Sequence, residues 1–274
     1  MNLLEKTIKI CKENDINPAR SKGQNFLINE DIYKKIIESA NIDKNDLVLE
    51  VGPGLGFLTR GLAKEAKRVI AVELDDKLAE LLKKNLAEDQ INNVEIINKD
   101  IIEVLQKTEI EDQKIFKIVA NLPYNISSIF LRSIFELKNK PESLTLMLQR
   151  EVAERIIAKP GKMSLLAVSI QLYAKGDIIT SVSGNDFWPA PEVESAVIHL
   201  ELKRGSTNVD EKKFFRLVKS GFLAKRKMLK NNLAGAYAIS QEESEERLVR
   251  AGFSSKIRAQ ELSVEDWKKL LEKF

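Results

Sequence analysis

The sequence predicts an α/β protein with a mainly parallel seven-stranded sheet, an antiparallel last strand and a small all-helical C-terminal domain. Short apolar runs of strand length alternate with segments of helical periodicity between residues 47 and 202. A Gly-Ser-Thr-Asn segment at 205–208 has the composition of a linker, and beyond it the apolar spacing is helical only. We therefore expect one domain over residues 1–204 and a second over residues 209–274.

The elements follow from where the apolar periodicity starts, changes and stops. Strands are expected at 47–51, 68–73, 94–98, 115–120, 144–148, 178–182 and 195–202. Helices are expected at 3–11, 32–40, 57–66, 77–87, 127–137, 151–158 and 164–175, with Asn29 or Asp31 and Ser127 or Ser128 as candidate N-caps. The C-terminal helices are expected at 211–222, 225–236, 242–251 and 264–273. The connection between the last two strands is short, which predicts an antiparallel pair.

The composition is that of a globular protein with a substantial core. Of the 274 residues, 43% are hydrophobic and 31% are charged, and no apolar segment approaches the length of a membrane span. No signal-peptide core is visible at the N-terminus, so we expect a cytoplasmic protein, and we expect a monomer. Cys11 is the only cysteine, which excludes an internal disulfide and a cysteine-rich metal site. The single histidine, His199, lies in a strand-like run, so we interpret it as structural and expect no metal.

The charge is unevenly distributed along the chain. Residues 203–274 contain 17 basic and 10 acidic residues, a balance of +7, whereas residues 1–202 have a balance of −4. Within the basic part, eight cationic residues follow one another with no acidic residue between them: Lys212, Lys213, Arg216, Lys219, Lys225, Arg226, Lys227 and Lys230. Helical spacing would put many of them on a shared face. Such a face favours a polyanionic partner, although a solvated helical surface is the alternative.

A glycine-containing turn follows the first predicted strand. The sequence Glu-Val-Gly-Pro-Gly-Leu-Gly at 50–56 leads into the helix predicted to begin at Phe57. Glycine permits positive φ and a close approach of ligand to backbone, so the turn is a candidate nucleotide cradle. Gly52, Gly54 and Gly56 alternate, and Phe57 stands where a dinucleotide fingerprint has its third glycine. This spacing resembles the first motif of S-adenosylmethionine-dependent methyltransferases, although alone it also fits a turn whose glycines serve packing.

Two acidic residues end the next two predicted strands. Glu73 lies 21 residues beyond Gly52, close to the interval at which α/β nucleotide folds place a ribose-binding acid. Asp100 follows the third strand, again at the end where open α/β sheets bind ligands. We interpret Glu73 as a ligand for the two ribose hydroxyls rather than as a surface acid.

The sequence Asn-Leu-Pro-Tyr at 121–124 follows the fourth strand and suits an exocyclic adenine amine. The Asn121 side-chain oxygen and nearby backbone carbonyls are acceptors, Pro123 stiffens the turn, and the Tyr124 ring offers a stacking face. Two acceptors that hold the two amine hydrogens favour a tetrahedral nitrogen whose lone pair points at a methyl donor. Catalysis would then consist mainly of positioning. A strand-end turn with a core tyrosine is the alternative.

Taken together, the motifs resemble those of the rRNA adenine dimethyltransferases, in particular the group that acts on the small ribosomal subunit. The matching pieces, in family order, are Gly-Gln-Asn-Phe-Leu at 23–27, the glycine turn, Glu73, Asp100, Asn-Leu-Pro-Tyr-Asn-Ile-Ser at 121–127, Phe-Trp-Pro-Ala-Pro at 187–191 with Val193 and residues 195–197, and Arg-Ala-Gln-Glu-Leu-Ser at 258–263. They span most of the chain. The resemblance implies a Rossmann-like class I methyltransferase fold.

The resemblance also implies roles for individual residues. Asn25 and Leu27 would close over S-adenosylmethionine, Gly52 and Gly54 would form its cradle, and Asp100 would contact its adenine amine. Asn121 would touch both cofactor and target, Pro123 would supply a carbonyl acceptor, and Tyr124 would stack on the target adenine. Phe187 is a second stacking candidate, and a core aromatic is equally compatible with its apolar neighbours.

The implied partner is small-subunit rRNA within the small ribosomal subunit. Family members dimethylate two adjacent adenosines near the 3′ end of that RNA, and the basic residues Lys225, Arg226, Lys227 and Lys230 would bind its phosphates. The target adenine would be single-stranded or flipped out. The alternatives are a resistance methyltransferase acting on large-subunit rRNA, a DNA adenine methyltransferase, and a non-catalytic assembly or transcription factor on the same scaffold. Leu122, Asn125 and the intact acids favour the first interpretation.

Overall fold

The computed structural model describes residues 1–18, 24–106, 116–124, 126–205 and 207–274. Gly23 and Asn125 of the motifs, the first residue of the predicted fourth strand, Ile115, and Ser206 of the predicted linker lie outside these ranges. In the part of the chain that is described, no helix is both long enough and apolar enough to span a membrane.

The described strands and helices follow the predicted order closely. The strands are β1 Phe26–Leu27, β2 Leu47–Val51, β3 Arg68–Glu73, β4 Val94–Asn98, β5 Lys117–Asn121, β6 Ser143–Gln149, β7 Ala174–Val182, β8 Phe187–Trp188 and β9 Ser195–Leu202. The first eight helices are α1 Leu3–Glu13, α2 Glu30–Ser39, α3 Phe57–Glu65, α4 Asp76–Glu88, α5 Ile101–Gln106, α6 Ser127–Glu136, α7 Arg150–Ile156 and α8 Leu165–Tyr173. Four more follow: α9 Glu211–Gly221, α10 Leu229–Tyr237, α11 Gln241–Arg250 and α12 Val264–Leu271.

Seven strands form the main sheet in the order β4-β3-β2-β5-β6-β9-β7. Neighbouring strands from β4 through β6 are parallel, whereas β9 runs antiparallel to β6. Strands β2, β3, β5 and β6 are almost wholly buried, as expected when helices cover both faces of a parallel sheet. The predicted fold class, a mainly parallel seven-stranded sheet with an antiparallel last strand, is confirmed.

One core cluster joins helices α2 and α3 to the sheet. Ile32 and Ile36 of α2 and Leu58 and Leu62 of α3 are buried in the same cluster as apolar residues of β2, β3, β5, β6 and β9. At roughly 25 cal/mol per Å² of apolar area removed from water, this packing is a main source of stability. It holds the helix that starts at the glycine turn firmly on the sheet.

Helix α5 and strands β1 and β8 were not predicted from the sequence, and β7 and α10 begin at residues that differ from the prediction. The two-residue strands β1 and β8, which pair antiparallel (Phe26 with Trp188, Leu27 with Phe187), are too short to leave a periodic signal. Strand β7 begins at Ala174, inside the predicted helix 164–175, because Gly176 lies directly against β9. A Cβ atom added to Gly176 would lie 1.9 Å from the His199 carbonyl oxygen, so only glycine permits this pairing.

The helix predicted at 225–236 begins only at Leu229. The Asn232 side-chain amide donates hydrogen bonds to the carbonyl oxygens of Gly221 (2.7 Å) and Ala224 (3.1 Å). These bonds hold residues 222–228 as a turn between α9 and α10. The basic triplet 225–227 therefore lies in a turn, and the prediction that it forms the start of a helix is wrong.

The described residues group into two compact units. The first contains residues 1–153 and 176–202, and the second contains residues 154–175 and 203–274. Residues 154–175 thus differ from the predicted division, which gave them to the N-terminal domain. The reason is that α8 packs on α9 and α12, and the Tyr173 hydroxyl donates to Glu211 Oε2 (2.8 Å). That residues 209–274 fold as a separate domain stays a prediction.

Candidate functional site

A cleft of about 390 Å³ opens at the carboxyl ends of the parallel strands. It lies where the strand order reverses between β2 and β5, the position at which open α/β sheets bind ligands. Every catalytic or cofactor-binding residue predicted from the sequence lines this cleft: Asn25, Leu27, Gly52, Gly54, Glu73, Asp100, Asn121, Pro123, Tyr124 and Phe187. The parallel pairing of Val51 with Ala120 explains why the glycine turn and the Asn121–Tyr124 segment meet.

The glycine turn faces Asn121 across the floor of the cleft. Gly52 has φ +67°, and a Cβ atom added to it would lie 3.7 Å from the Asn121 carbonyl oxygen. Gly54 has φ +54°, and its added Cβ would lie 3.3 Å from the Phe26 ring. A larger residue would be strained at both positions and would fill the space between the two segments. The turn is therefore shaped for close contact with a ligand.

Glu73 holds the turn in place. Its Oε2 accepts a hydrogen bond from the Gly54 amide (3.0 Å), and its Oε1 accepts one from the Asp75 amide (2.9 Å). Burial raises the pKa of Glu73, and these two backbone donors act in the opposite direction. Each carboxylate oxygen retains a second lone pair, so the group can also accept from a ligand.

Asp100 lies between the end of β4 and the start of α5 and also lines the cleft. It is exposed, and its Oδ1 accepts a hydrogen bond from the Ile102 amide (2.8 Å), which stabilises the start of α5. Two apolar residues that the sequence analysis did not single out, Leu74 and Ile101, line the cleft as well. Leu74 is 68% exposed. The position of Leu74 directly after a predicted strand-end ligand acid was the only signal for it in the sequence.

Glu50, at the end of β2, is a further residue that the motif analysis left without a role. Its side chain is buried at the cleft, and Oε2 has no hydrogen-bond partner among the described residues. Burial and, to a smaller extent, the Glu73 carboxylate raise the pKa of Glu50 to about 8, while Thr59 acts in the opposite direction. The group is therefore protonated in the folded protein at neutral pH.

We expect Glu50→Gln to remove a pH-dependent loss of stability. The folded-state pKa is above its ordinary value of 4.5, so the folded chain binds more protons than the unfolded chain between pH 4.5 and 8. The native protein consequently loses stability as the pH rises through this window. The difference in unfolding free energy between variant and native protein should grow by about 2.7 kcal/mol between pH 6 and pH 9, measured by urea denaturation. Asn92→Ala, at an exposed position and without change of a titratable group, should shift the unfolding free energy by the same amount at both pH values.

The segment from Gln24 to Asn29 contributes residues 24–27 to the lining of the cleft and is held by residues 183–188. Besides the β1–β8 pair, the Ile28 amide donates to the Asp186 carbonyl oxygen and the Asn29 Nδ2 donates to Asp186 Oδ1, both at 2.7 Å. The Tyr33 hydroxyl donates to the Leu27 carbonyl oxygen (3.0 Å). These bonds fix Asn25 and Leu27 at the cleft. Phe26, between them, packs its ring against Gly54 of the glycine turn.

The Asn121–Tyr124 segment forms the other wall. The Pro123 carbonyl oxygen accepts from the Ile126 amide (3.2 Å) and from Ser127 Oγ (3.3 Å), so the start of α6 already uses it. Tyr124 is half-buried, and its hydroxyl lies 2.6 Å from Ser195 Oγ. Phe187 is only 4% exposed and belongs to the core cluster, although it also lines the cleft.

The predicted RNA-binding residues lie in the second unit. Lys225, Arg226 and Lys227 are exposed in the turn between α9 and α10, which we call the basic turn. Lys230 lies on α10, where its ammonium pairs with Glu245 and lowers the pKa of that carboxyl. The structure thus does not group Lys230 with the basic turn. On α9, Lys212, Arg216 and Lys219 are exposed at helical spacing.

The fold and this site define a class I methyltransferase. Among solved structures, a dimethyladenosine transferase from Plasmodium falciparum is similar with a TM-score of 0.77, at 27% identity over 89% of this chain and 95% of that one. The 23S rRNA methyltransferase ErmE is similar with a TM-score of 0.75, at 26% identity over 91% of this chain and 99% of that one.

The sequence comparisons are more specific. The family model for ribosomal RNA adenine dimethylase matches residues 16–274. The ribosomal RNA small subunit methyltransferase A of Dehalococcoides mccartyi (strain CBDB1) is 40% identical over 93% of this chain and 88% of its own length. The protein of the same name from Clostridium botulinum (strain Kyoto / Type A2) is 40% identical over 96% of both chains. The chain belongs to the ribosomal RNA adenine dimethylase family.

Proposed function

We propose that this protein transfers methyl groups from S-adenosylmethionine to the exocyclic amines of two adjacent adenosines near the 3′ end of small-subunit rRNA. The observation that carries the proposal is the meeting of Gly52 and Asn121 at the junction of β2 and β5. A cradle suited to a nucleoside cofactor lies there beside acceptors suited to an amine. The family and the names of the relatives favour the same reaction on small-subunit rRNA.

The residues at the cleft fit S-adenosylmethionine as cofactor. When bound, this cofactor supplies an electrophilic methyl group on a sulfonium. Glu73 would accept hydrogen bonds from ribose hydroxyls with the lone pairs that Gly54 and Asp75 leave, and Asp100 would accept from the adenine amine. Leu74 and Ile101 offer apolar contact to the adenine ring, while Asn25 and Leu27 would cover the site. Gly52 and Gly54 allow the methionine part to approach the backbone.

Asn121 and Tyr124 would hold the target adenine. The Asn121 side-chain oxygen would accept one amine hydrogen, and the Tyr124 ring would stack on the base. For the second acceptor we propose the carbonyl of Leu122 instead of Pro123, because the Pro123 oxygen already accepts two bonds at the start of α6. No strong base is needed to begin the attack, so the rate enhancement comes from orienting a poor nucleophile. Phe187 is a weaker candidate for stacking, since it is 4% exposed.

The second unit would bind rRNA through the basic turn, together with exposed cations of α9. Phosphate contacts of this kind give salt-dependent affinity with little sequence preference. Specificity would then come from the shape of the small subunit and from the adenine site. We propose that the protein acts as a monomer, without a metal. A non-catalytic factor is disfavoured by the cleft, since a protein that only binds RNA does not need Glu73 and Asn121 at one site.

The direct test is to incubate small ribosomal subunits that lack the modification with labelled S-adenosylmethionine and to map the modified nucleotides. The expected product is dimethyladenosine at two adjacent positions near the 3′ end of the RNA. Large subunits, total RNA and duplex DNA serve as parallel substrates. Label on large-subunit rRNA would indicate the resistance methyltransferase activity, label on DNA the DNA-directed activity, and absence of label a non-catalytic factor.

A further inference from the structure

Ser195 is a buried polar residue at the edge of the adenine site. It is the first residue of β9, its exposed fraction is 0%, and Gln149 of β6 is its cross-strand neighbour. A buried hydroxyl normally needs a hydrogen-bond partner. Here that partner is the Tyr124 hydroxyl at 2.6 Å, and either oxygen can donate.

The bond spans three strands of the sheet. Tyr124 follows β5, Ser195 begins β9, and β6 lies between these two strands. The Tyr124 side chain therefore reaches across the carboxyl end of β6, with its hydroxyl on the far side. Its ring is tethered at both ends, by the backbone after Pro123 and by the Ser195 hydroxyl.

The beginning of β9 is itself firmly held. The Arg150 amide donates to the Glu194 carbonyl oxygen (2.9 Å), and Arg150 Nη1 lies 2.7 Å from Glu194 Oε2. These contacts continue the β6–β9 ladder by one residue beyond Gln149 and Ser195. The Ser195 hydroxyl is therefore held in a fixed position, from which it can donate to or accept from the Tyr124 hydroxyl.

The bond to Ser195 determines how the Tyr124 side chain can contact a ligand. Burial raises the pKa of Tyr124, so its hydroxyl stays protonated and can keep this bond. The bond to Ser195 uses one hydrogen-bonding position of the Tyr124 hydroxyl and fixes the orientation of the ring, whose face can then meet the substrate. Because stacking depends on ring orientation, a tethered ring costs less ordering when the base arrives than a freely rotating ring does.

We infer that Ser195 is a positioning residue for the target base, acting through the Tyr124 hydroxyl. The inference rests on the proposed role of Tyr124 as the stacking platform for adenine. It predicts that the two hydroxyls work as one unit, so that removing either has the same effect as removing both.

The test is a double-mutant cycle on methyl transfer to unmodified small subunits at saturating S-adenosylmethionine. Ser195→Ala and Tyr124→Phe should each lower kcat/KM for the subunit about tenfold, as expected for the loss of one hydrogen bond at a reacting site. The double variant should also be about tenfold lower, not about a hundredfold. The affinity for S-adenosylmethionine should stay within about twofold, because the bond lies at the base side of the cleft. Tyr124→Ala should lose more than about a hundredfold.

The controls separate positioning from folding. Ser143→Ala removes another buried serine hydroxyl, at the opposite end of β6, and should leave activity unchanged. Ser195→Cys replaces the hydroxyl with a somewhat larger thiol that bonds weakly, so it should reproduce the tenfold loss, with folding checked by a thermal melt. If the losses multiply in the double variant, the inference about Ser195 is wrong. It is also wrong if Ser195→Ala is fully active while Tyr124→Ala is inactive. Neither result would contradict the proposed stacking role of Tyr124. Full activity of Tyr124→Ala would overturn the proposed stacking role as well.

Discussion

Asn121→Ala should lower the rate of methyl transfer to small subunits by on the order of 10²–10³. The substitution removes the side-chain acceptor that we propose orients the adenine amine, and orientation is the main source of rate enhancement in a site without a strong base. Asn121 is only partly buried at the end of β5, so the truncation leaves no large cavity. The measurement is kcat under saturation with both substrates, accompanied by circular dichroism and a thermal melt.

Asn92→Ala provides the matched control. Asn92 is exposed and lies away from the β2–β5 junction, in the loop before β4, so its loss should leave kcat unchanged. Near-normal methylation by Asn121→Ala would refute the assignment of the amine site. A large loss accompanied by a lower melting temperature would instead indicate that Asn121 supports the turn.

Reversal of the basic turn, with Lys225, Arg226 and Lys227 all changed to Glu, should weaken binding to the small subunit by more than about 100-fold near 0.1 M salt. The variant would lose the three phosphate contacts that we propose for these residues, and three repulsive charges would replace them. The plot of log affinity against log salt should also become less steep, by about 2–3 in slope, since fewer counterions are released. The turn is exposed and held by Asn232, whose bonds the variant leaves intact.

A variant with the same change in net charge controls for long-range electrostatics. Lys12, Lys67 and Lys83 are exposed lysines of the first unit, and changing all three to Glu should affect subunit binding much less. Affinity for S-adenosylmethionine, measured by calorimetry, should be unaffected in both variants. An equal loss of cofactor and subunit binding in the basic-turn variant would mean that the protein had been destabilised.

Most of the sheet could be predicted because its strands are continuous apolar runs. Strands β2, β3 and β5 are buried on both faces, and such runs between helical segments leave few alternatives. The same reasoning placed Glu73 and Asp100 at one edge, since the ends of parallel strands coincide. The ten cleft residues could thus be found from position and motif together.

The features of the fold and site that could not be predicted depend on contacts between residues distant in sequence. The pairing of Phe26 with Trp188 and the bond between Tyr124 and Ser195 join segments that carry no local signal of each other. The pairing of Lys230 with Glu245 was equally invisible, because a basic run does not reveal which of its members face an acid. The basic turn was misassigned as helix because the deciding bonds come from the Asn232 side chain.

The pairing of β1 with β8 has a consequence for the newly made chain. During synthesis, residues 24–29 leave the ribosome long before residues 183–188, which hold them in the finished protein. A growing chain can therefore contain the complete β2, β3 and glycine turn while residues 24–27, which line the cleft, still lack their pairing partner. This part of the cleft wall can reach its final form only when nearly all of the first unit has been translated.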